Sequence, residues 1–166
     1  MPEAVLIAGA NGAGKTTFAR HYVPRFFPNA EFLNADEIQR EGGALASPLS
    51  AGRELIRRLE NATSLKKDFV IETTLSSAQY ARRIPVWRNA GYATTLIFLE
   101  VPSADFAVKR VESRVAMGGH GIPETDIRRR YARGLMLFEG LYRPLADLWY
   151  WYRWNGQAYE IFEQSR

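Results

Sequence analysis

Gly9-Ala10-Asn11-Gly12-Ala13-Gly14-Lys15-Thr16 is the stretch on which the reading of this chain turns. It has the form G-x-x-x-x-G-K-T, and its flanks have the right character. Val5-Leu6-Ile7-Ala8 before it is short and apolar, as a buried strand is, and Thr17-Phe18-Ala19-Arg20-His21-Tyr22 after it reads as helix. Glycines at these positions let successive backbone N–H groups turn inward and form a nest for phosphate oxygens. The helix behind adds free N–H groups and the positive end of its dipole. On this reading Gly9, Asn11, Gly12, Ala13, Gly14, Lys15, Thr16 and Thr17 hold a nucleoside triphosphate, ATP or GTP. Lys15 reaches its β- and γ-phosphates, and the Thr16 hydroxyl ligates Mg²⁺.

Outward from this loop, strands and helices alternate, which predicts an α/β fold: a three-layer P-loop NTPase or kinase with a parallel central sheet. The expected elements are a strand at 4–8, a helix at 15–22 ended by Pro24 and Pro28, a strand at 31–34 and a short helix from Ala35. A longer amphipathic helix follows over 49–67, with Leu55, Ile56, Leu59, Ala62 and Leu65 at helical spacing. Then come a strand at 69–72, a helix over 77–89 kinked or shortened at Pro85, a strand at 93–99 and a helix over 103–117. Gly118-Gly119-His120-Gly121 reads as a flexible loop, and Pro123 as the first position of a helix reaching about Gly140. Asn155-Gly156 between 149–154 and 159–162 predicts a small C-terminal hairpin. The run Trp149-Tyr150-Trp151-Tyr152-Arg153-Trp154 can stack bases, but its alternation favours packing. Nothing marks an internal repeat or linker, so one domain over 1–166 is expected, with a lid-like region at about 114–134.

The 166 residues carry no cysteine, which excludes a disulfide framework, a thiolate metal site and a cysteine nucleophile. No apolar run is long enough to span a bilayer, and no secretory signal is visible, so a cytoplasmic protein without membrane association is expected. Twenty-two basic against 18 acidic side chains leave +4. Such a surplus serves nucleic acid, but it equally serves a cleft that handles polyanionic phosphates.

Three carboxylates lie at strand ends, where open α/β sheets bind ligands. Asp36 can accept the proton of an attacking hydroxyl, or it can cap the helix that begins beside it. Glu72, followed by Thr73-Thr74-Leu75-Ser76, can orient substrate or hold the water shell of magnesium. Glu100 is read as structural. Arginines gather in two groups: Lys109, Arg110 and Arg114, then Arg128, Arg129, Arg130 and Arg133. They suit a lid that closes on transferring phosphate, with Arg114, just before the glycine pair, the first choice. His21 and His120 are too few for a metal cluster.

These stretches together resemble the zeta toxin family of P-loop kinases over nearly the whole chain. The resemblance rests on GANGAGKT at 9–16, NADEI at 34–38, AGR at 51–53 and IETTL at 71–75. It continues with Arg114 followed by GGHGIP at 118–123, and with ADLW at 146–149. It implies transfer of a γ-phosphate from ATP or GTP, with Mg²⁺, to a hydroxyl of a small molecule. In the toxins that acceptor is UDP-N-acetylglucosamine, and an antitoxin protein is an implied partner. The family's catalytic aspartate falls on Asp36, its lysine on Lys15, its acid and threonine on Glu72 and Thr74, and its first lid arginine on Arg114. The acceptor is expected between Asp36, Arg53, Glu72 and Thr74. The second lid arginine falls on His120, leaving His120, Arg128 and Arg130 as candidates. A P-loop ATPase binding nucleic acid through the arginine-rich helix is the rival reading, and a nucleic-acid partner is the less expected of the two.

Overall fold

A computed structural model describes residues 1–166. Six strands form one sheet in the order β2-β3-β1-β4-β5-β6, with β1 Glu3–Gly9, β2 Glu31–Leu33, β3 Phe69–Thr73, β4 Ala93–Glu100, β5 Leu148–Trp154 and β6 Tyr159–Gln164. All neighbours are parallel except β5 and β6. The helices are α1 Lys15–Phe26, α2 Ala35–Glu41, α3 Pro48–Ser64, α4 Ile84–Asn89, α5 Ala104–Ala116 and α6 Glu124–Leu137. The chain leaves β1 toward β2 on one side and later reaches β4 on the other. The sheet's switch point, and with it the crevice for a ligand, therefore lies at the carboxyl end of β1.

Side-chain alternation along the strands divides the core in two. Ala4, Leu6 and Ala8 of β1 join Phe69, Ile71, Leu96, Phe98 and Trp151 on one face, covered by Leu55 and Leu59 of α3 and Trp87 of α4. Val5 and Ile7 join Val70, Ile97 and Leu99 on the other, covered by Ala19 of α1 and Val108 and Val111 of α5. Burial on both faces is why these parallel strands read as unbroken apolar runs. One helix belongs to both layers. Ile127 of α6 lies in the second core, while Leu135 and the following Phe138 and Tyr142 lie in the first. α6 thus crosses from one face of the sheet to the other.

The element order agrees with the sequence reading, and several boundaries do not. α1 runs through Pro24 to Phe26, because a proline in the last turns forfeits only one hydrogen bond while Phe27 N–H still reaches Val23 O. Of the two effects expected of Pro85 the helix over 77–89 shows shortening: turns precede α4, and Pro85 sits in its first turn, where its missing N–H has no role. α3 starts at Pro48 behind a reciprocal Ser47–Ser50 capping box. Pro123 is the residue before α6 rather than its first, and helical structure continues past Gly140 as a π-helical turn, Phe138–Tyr142. The terminal hairpin is no appendage: β5 pairs with β4 from Thr95–Leu148 to Glu100–Arg153 and extends the central sheet. Asp147, in the ADLW stretch, starts that pairing by accepting hydrogen bonds from the N–H and hydroxyl of Thr94. Tyr150 and Tyr152 pack on one face and Trp149 and Trp151 on the other, so the aromatic run packs against the core as far as Tyr152, as its alternation predicts.

Candidate active site

The loop between β1 and α1 has the backbone its glycines predict. Gly12 and Gly14 have φ of +82° and +80°, and a Cβ on Gly12 would lie 2.5 Å from the Ala107 carbonyl oxygen of α5. Gly9 is as tightly placed, 2.6 Å from the Leu99 carbonyl oxygen at the end of β4. The loop is therefore wedged between β4 and α5, and no larger residue would let it lie there. Gly14 precedes α1 with no side-chain cap, so the first N–H groups of α1 are open to an anion.

Lys15 is buried, its ammonium donating to Ala10 O at 3.0 Å across the mouth of the loop. Burial pushes its pKa below the ordinary lysine value. The carboxylates of Glu72 and Asp36 oppose that shift, and the guanidinium groups of Arg114 and Arg130 reinforce it. These five charged groups, from α1, α2, β3, α5 and α6, converge on one place at the carboxyl edge of the sheet. Lys15, Arg114 and Arg130 give this place three cations against the two carboxylates, a balance that suits a polyanion.

Glu72 at the end of β3 accepts from the Thr16 hydroxyl at 2.8 Å and from Asn34 Nδ2 at 2.8 Å. The oxygen side of the same Asn34 amide accepts the N–H groups of Asp36 and Glu37 and caps α2. The capping role that Asp36 could have taken therefore belongs to Asn34. Asn34 is the cap, and the Asp36 carboxylate is exposed and takes no hydrogen bond from the protein. Sequence reasoning overlooked Asn34 as a site residue, although it opens the NADEI stretch. Thr16 and Glu72 are the donor pair suited to Mg²⁺, which takes few protein oxygens and completes its shell with phosphate and water. No cluster of three acidic or histidine side chains competes as a metal centre.

The lid residues sort themselves. Arg130 Nη1 donates to Asn11 Oδ1 of the loop at 3.1 Å. Arg128 is held by Asp105 at 2.7 Å and Glu124 at 2.8 Å, and is not brought to the loop. His120 is exposed and contributes its carbonyl, to which Arg114 donates at 3.2 Å. Gly118-Gly119 stops α5 and opens the expected loop: Gly118 N–H reaches Val115 O, Gly119 N–H reaches Arg114 O, Gly118 has φ +90°, and residues 119–123 are neither helix nor strand. Arg114 thus sits in the last turn of α5. The second half of the lid-like region is packed helix. Gly134, one turn after Arg130, lies so close to Thr74 that a Cβ there would be 2.7 Å from the Thr74 carbonyl oxygen.

Thr74 shares a 2.9 Å hydrogen bond with Ser76, and the intervening Leu75 is buried with φ +56°. Arg53 is exposed on α3, with no partner that would hold it toward Asp36 or Thr74. Glu100 is structural as expected, accepting from Trp151 Nε1 and Arg153 Nε. Sequence reasoning also missed Tyr159 of β6, whose hydroxyl donates to Ala13 O of the phosphate loop at 2.5 Å. No motif signals it, because the contact joins residues 146 positions apart.

A glycine loop of this geometry, at the switch point of a parallel sheet and crossed by an arginine-bearing helix, defines a protein of the P-loop kinase fold class. The chain belongs to the zeta toxin family, which matches residues 1–141. It is 27% identical over 131 residues to an uncharacterized protein of Haemophilus influenzae, covering 78% of this chain and 92% of that one. Its fold is similar to a structure of the PezAT toxin–antitoxin system of Streptococcus pneumoniae, with TM-score 0.68 and 18% identity over 99% of this chain and 72% of that one. An AvrRxo1-ORF1:ORF2 structure with ATP gives TM-score 0.73 and 15% identity, over 99% of this chain and 58% of its own. Shikimate kinase of Acinetobacter baumannii gives 0.53 and 20%, over 95% and 86%. No helix of the chain is long and apolar enough to cross a membrane.

Proposed function

We propose that this protein is a kinase that moves the γ-phosphate of ATP or GTP to a hydroxyl of a small molecule in the cytoplasm. The observation that carries the reading is the convergence of Asp36, Glu72, Arg114 and Arg130 on Lys15 at the mouth of the phosphate loop. The unpartnered Asp36 carboxylate accepts the acceptor's hydroxyl proton as that oxygen attacks. Lys15, Arg114 and Arg130 neutralise charge that spreads over the transferring group. Thr16 and Glu72 would hold Mg²⁺, which would supply Lewis-acid neutralisation of phosphate charge. On this reading Arg53 and Thr74 are the residues left to contact the acceptor, with Ser76 hydrogen-bonded to Thr74.

A nucleotide sugar such as UDP-N-acetylglucosamine is the acceptor the family supports. An antitoxin partner is supported by the likeness to the PezAT toxin–antitoxin system and to the two-protein AvrRxo1-ORF1:ORF2 complex. Arg128 and Arg129 speak against the nucleic-acid reading, because Asp105, Glu124 and Asp126 already occupy them. The test is incubation with γ-labelled ATP or GTP and a panel of nucleotide sugars and small hydroxylated metabolites. A labelled product that disappears with Asp36→Asn is expected. Label released only as inorganic phosphate, with every acceptor, would overturn the reading.

A further inference from the structure

We infer that Tyr159 is a positioning residue for the phosphate loop: its hydroxyl locks the peptide unit between Ala13 and Gly14, so that the Gly14 N–H faces the incoming phosphate. The inference rests on the triphosphate reading of the loop at Gly9–Thr16. Tyr159 is the first residue of β6, and its hydroxyl donates to Ala13 O at 2.5 Å. No backbone N–H reaches that oxygen, so the hydroxyl is its one partner. A trans peptide is planar, with its carbonyl and its N–H on opposite sides. Holding the Ala13 carbonyl toward the hairpin therefore turns the Gly14 N–H away from it, to the inner side of the loop.

This peptide unit needs such a lock more than its neighbours do. Gly12 and Gly14 both have positive φ, and glycine passes between positive and negative φ at little cost, so a unit beside Gly14 can turn over. Before it, Ala13 N–H is held by Ala10 O at 3.1 Å, and Ala10 O also takes the Lys15 ammonium. After it, Gly14 O accepts the Phe18 N–H at 2.9 Å and opens α1. The Ala13–Gly14 unit links these two anchored ends, and Tyr159 alone ties its carbonyl. A nest binds an anion only when successive N–H groups converge on it. A reversed unit would present a carbonyl oxygen to the phosphate instead.

The hydroxyl is itself well held. The Tyr159 ring meets Trp154 edge to face at 5.3 Å and Phe18 at 6.4 Å. Tyr159 pairs with Trp154 across a turn in which Asn155 Oδ1 accepts the N–H groups of Gln157 and Ala158. Burial pushes the hydroxyl up to about 12, so it stays protonated, and a donor, at neutral pH. Tyr159 lies outside residues 1–141, so the family match says nothing of it.

The experiment compares Tyr159→Phe, which removes the hydroxyl and keeps the ring, with wild type and with Tyr92→Phe. Tyr92 is the control, because its hydroxyl also donates to backbone carbonyls, those of Ala62 and Lys67, away from the loop. Calorimetric titration with inorganic tripolyphosphate and with ATP, each with Mg²⁺, should show Tyr159→Phe binding both about 3- to 10-fold more weakly. Tyr92→Phe should bind both as wild type does, whatever stability it loses. Without ligand, NMR of Tyr159→Phe should show the Gly14 amide shifted or in exchange relative to wild type, and tripolyphosphate should reverse the change. Wild-type affinity of Tyr159→Phe for both probes would overturn the lock, as would a Gly14 amide that matches wild type. A loss for ATP that spares tripolyphosphate would overturn it too, since the hydroxyl would then serve some other part of the nucleotide. Equal losses of binding in Tyr159→Phe and Tyr92→Phe would overturn the positioning role in favour of general stability. Lys15→Ala tests the underlying reading separately: tripolyphosphate binding that survives it refutes the phosphate loop itself.

Discussion

Two helical glycines should respond to alanine with opposite signs. In an ordinary helix, Gly→Ala gains about 0.5–1 kcal/mol, because glycine loses more backbone freedom on folding. Gly52 in α3 has nothing within 4 Å of a built Cβ, so Gly52→Ala should show that gain. At Gly134 the same Cβ would stand 2.7 Å from the Thr74 carbonyl oxygen, a backbone atom that cannot rotate aside. Reaching a van der Waals separation of about 3.5 Å requires α6 to retreat by roughly 0.8 Å. Overpacking of that kind costs about 1–3 kcal/mol, which outweighs the helix gain and leaves a net loss of about 1 kcal/mol. For a domain of this size the melting temperature should fall by about 2–4 °C for Gly134→Ala and rise by a similar amount for Gly52→Ala.

Function should register the shift as well. Arg130 lies one turn before Gly134 on the same face, and its 3.1 Å bond to Asn11 does not survive such a retreat. A displacement near 1 Å of a group that positions phosphate lowers turnover by about 10- to 100-fold. Calorimetric melting and steady-state turnover of both variants make the assay. If Gly134→Ala is stabilised like Gly52→Ala and turns over normally, α6 is not pinned against Thr74, and the account of how Arg130 reaches the loop fails.

The other predictions concern single groups. Asp36→Asn should lower transfer by about 10²- to 10⁴-fold with nucleotide binding unchanged, and a wild-type rate would remove Asp36 as the base. Arg130→Ala should lower turnover while Arg128→Ala, whose charge is satisfied by Asp105 and Glu124, leaves it near wild type; the reverse order would refute the assignment of the second arginine. Lys15 offers a pH test without nucleotide. Burial lowers its pKa, so the unfolded chain binds its proton more tightly, and folding stability contributed by this group rises with pH up to the ordinary value of 10.5. Chemical denaturation at several alkaline pH values should therefore show the wild type gaining on Lys15→Met as pH increases, and parallel curves would contradict the burial argument.

Much of this was legible in the chain because it is local. The glycine loop needs only its own eight residues and their flanks, since a nest and a helix N-terminus are made by consecutive backbone groups. Strand and helix alternation follows from side-chain periods of 2 and 3.6, which fixed the layered α/β class and the carboxylates at strand ends. Where proline set a boundary, as at Pro24 and Pro85, the sequence named the breaker but not the register at which the helix absorbs it.

What the sequence by itself determined, then, is the phosphate cradle, the order of the elements and a short roster of charged candidates. Tertiary structure alone chose among them. Arg128 and Arg130 stand two residues apart and point about 200° apart around a helix. Composition shows that they cannot share a face but not which face meets the loop. That was settled by Gly134, whose missing Cβ lets α6 lie against Thr74 and turns Arg130 toward Asn11. The same holds for Tyr159, which touches Ala13 because β5 pairs with β4 and carries β6 alongside. Contacts between distant residues depend on packing angles that no local pattern encodes.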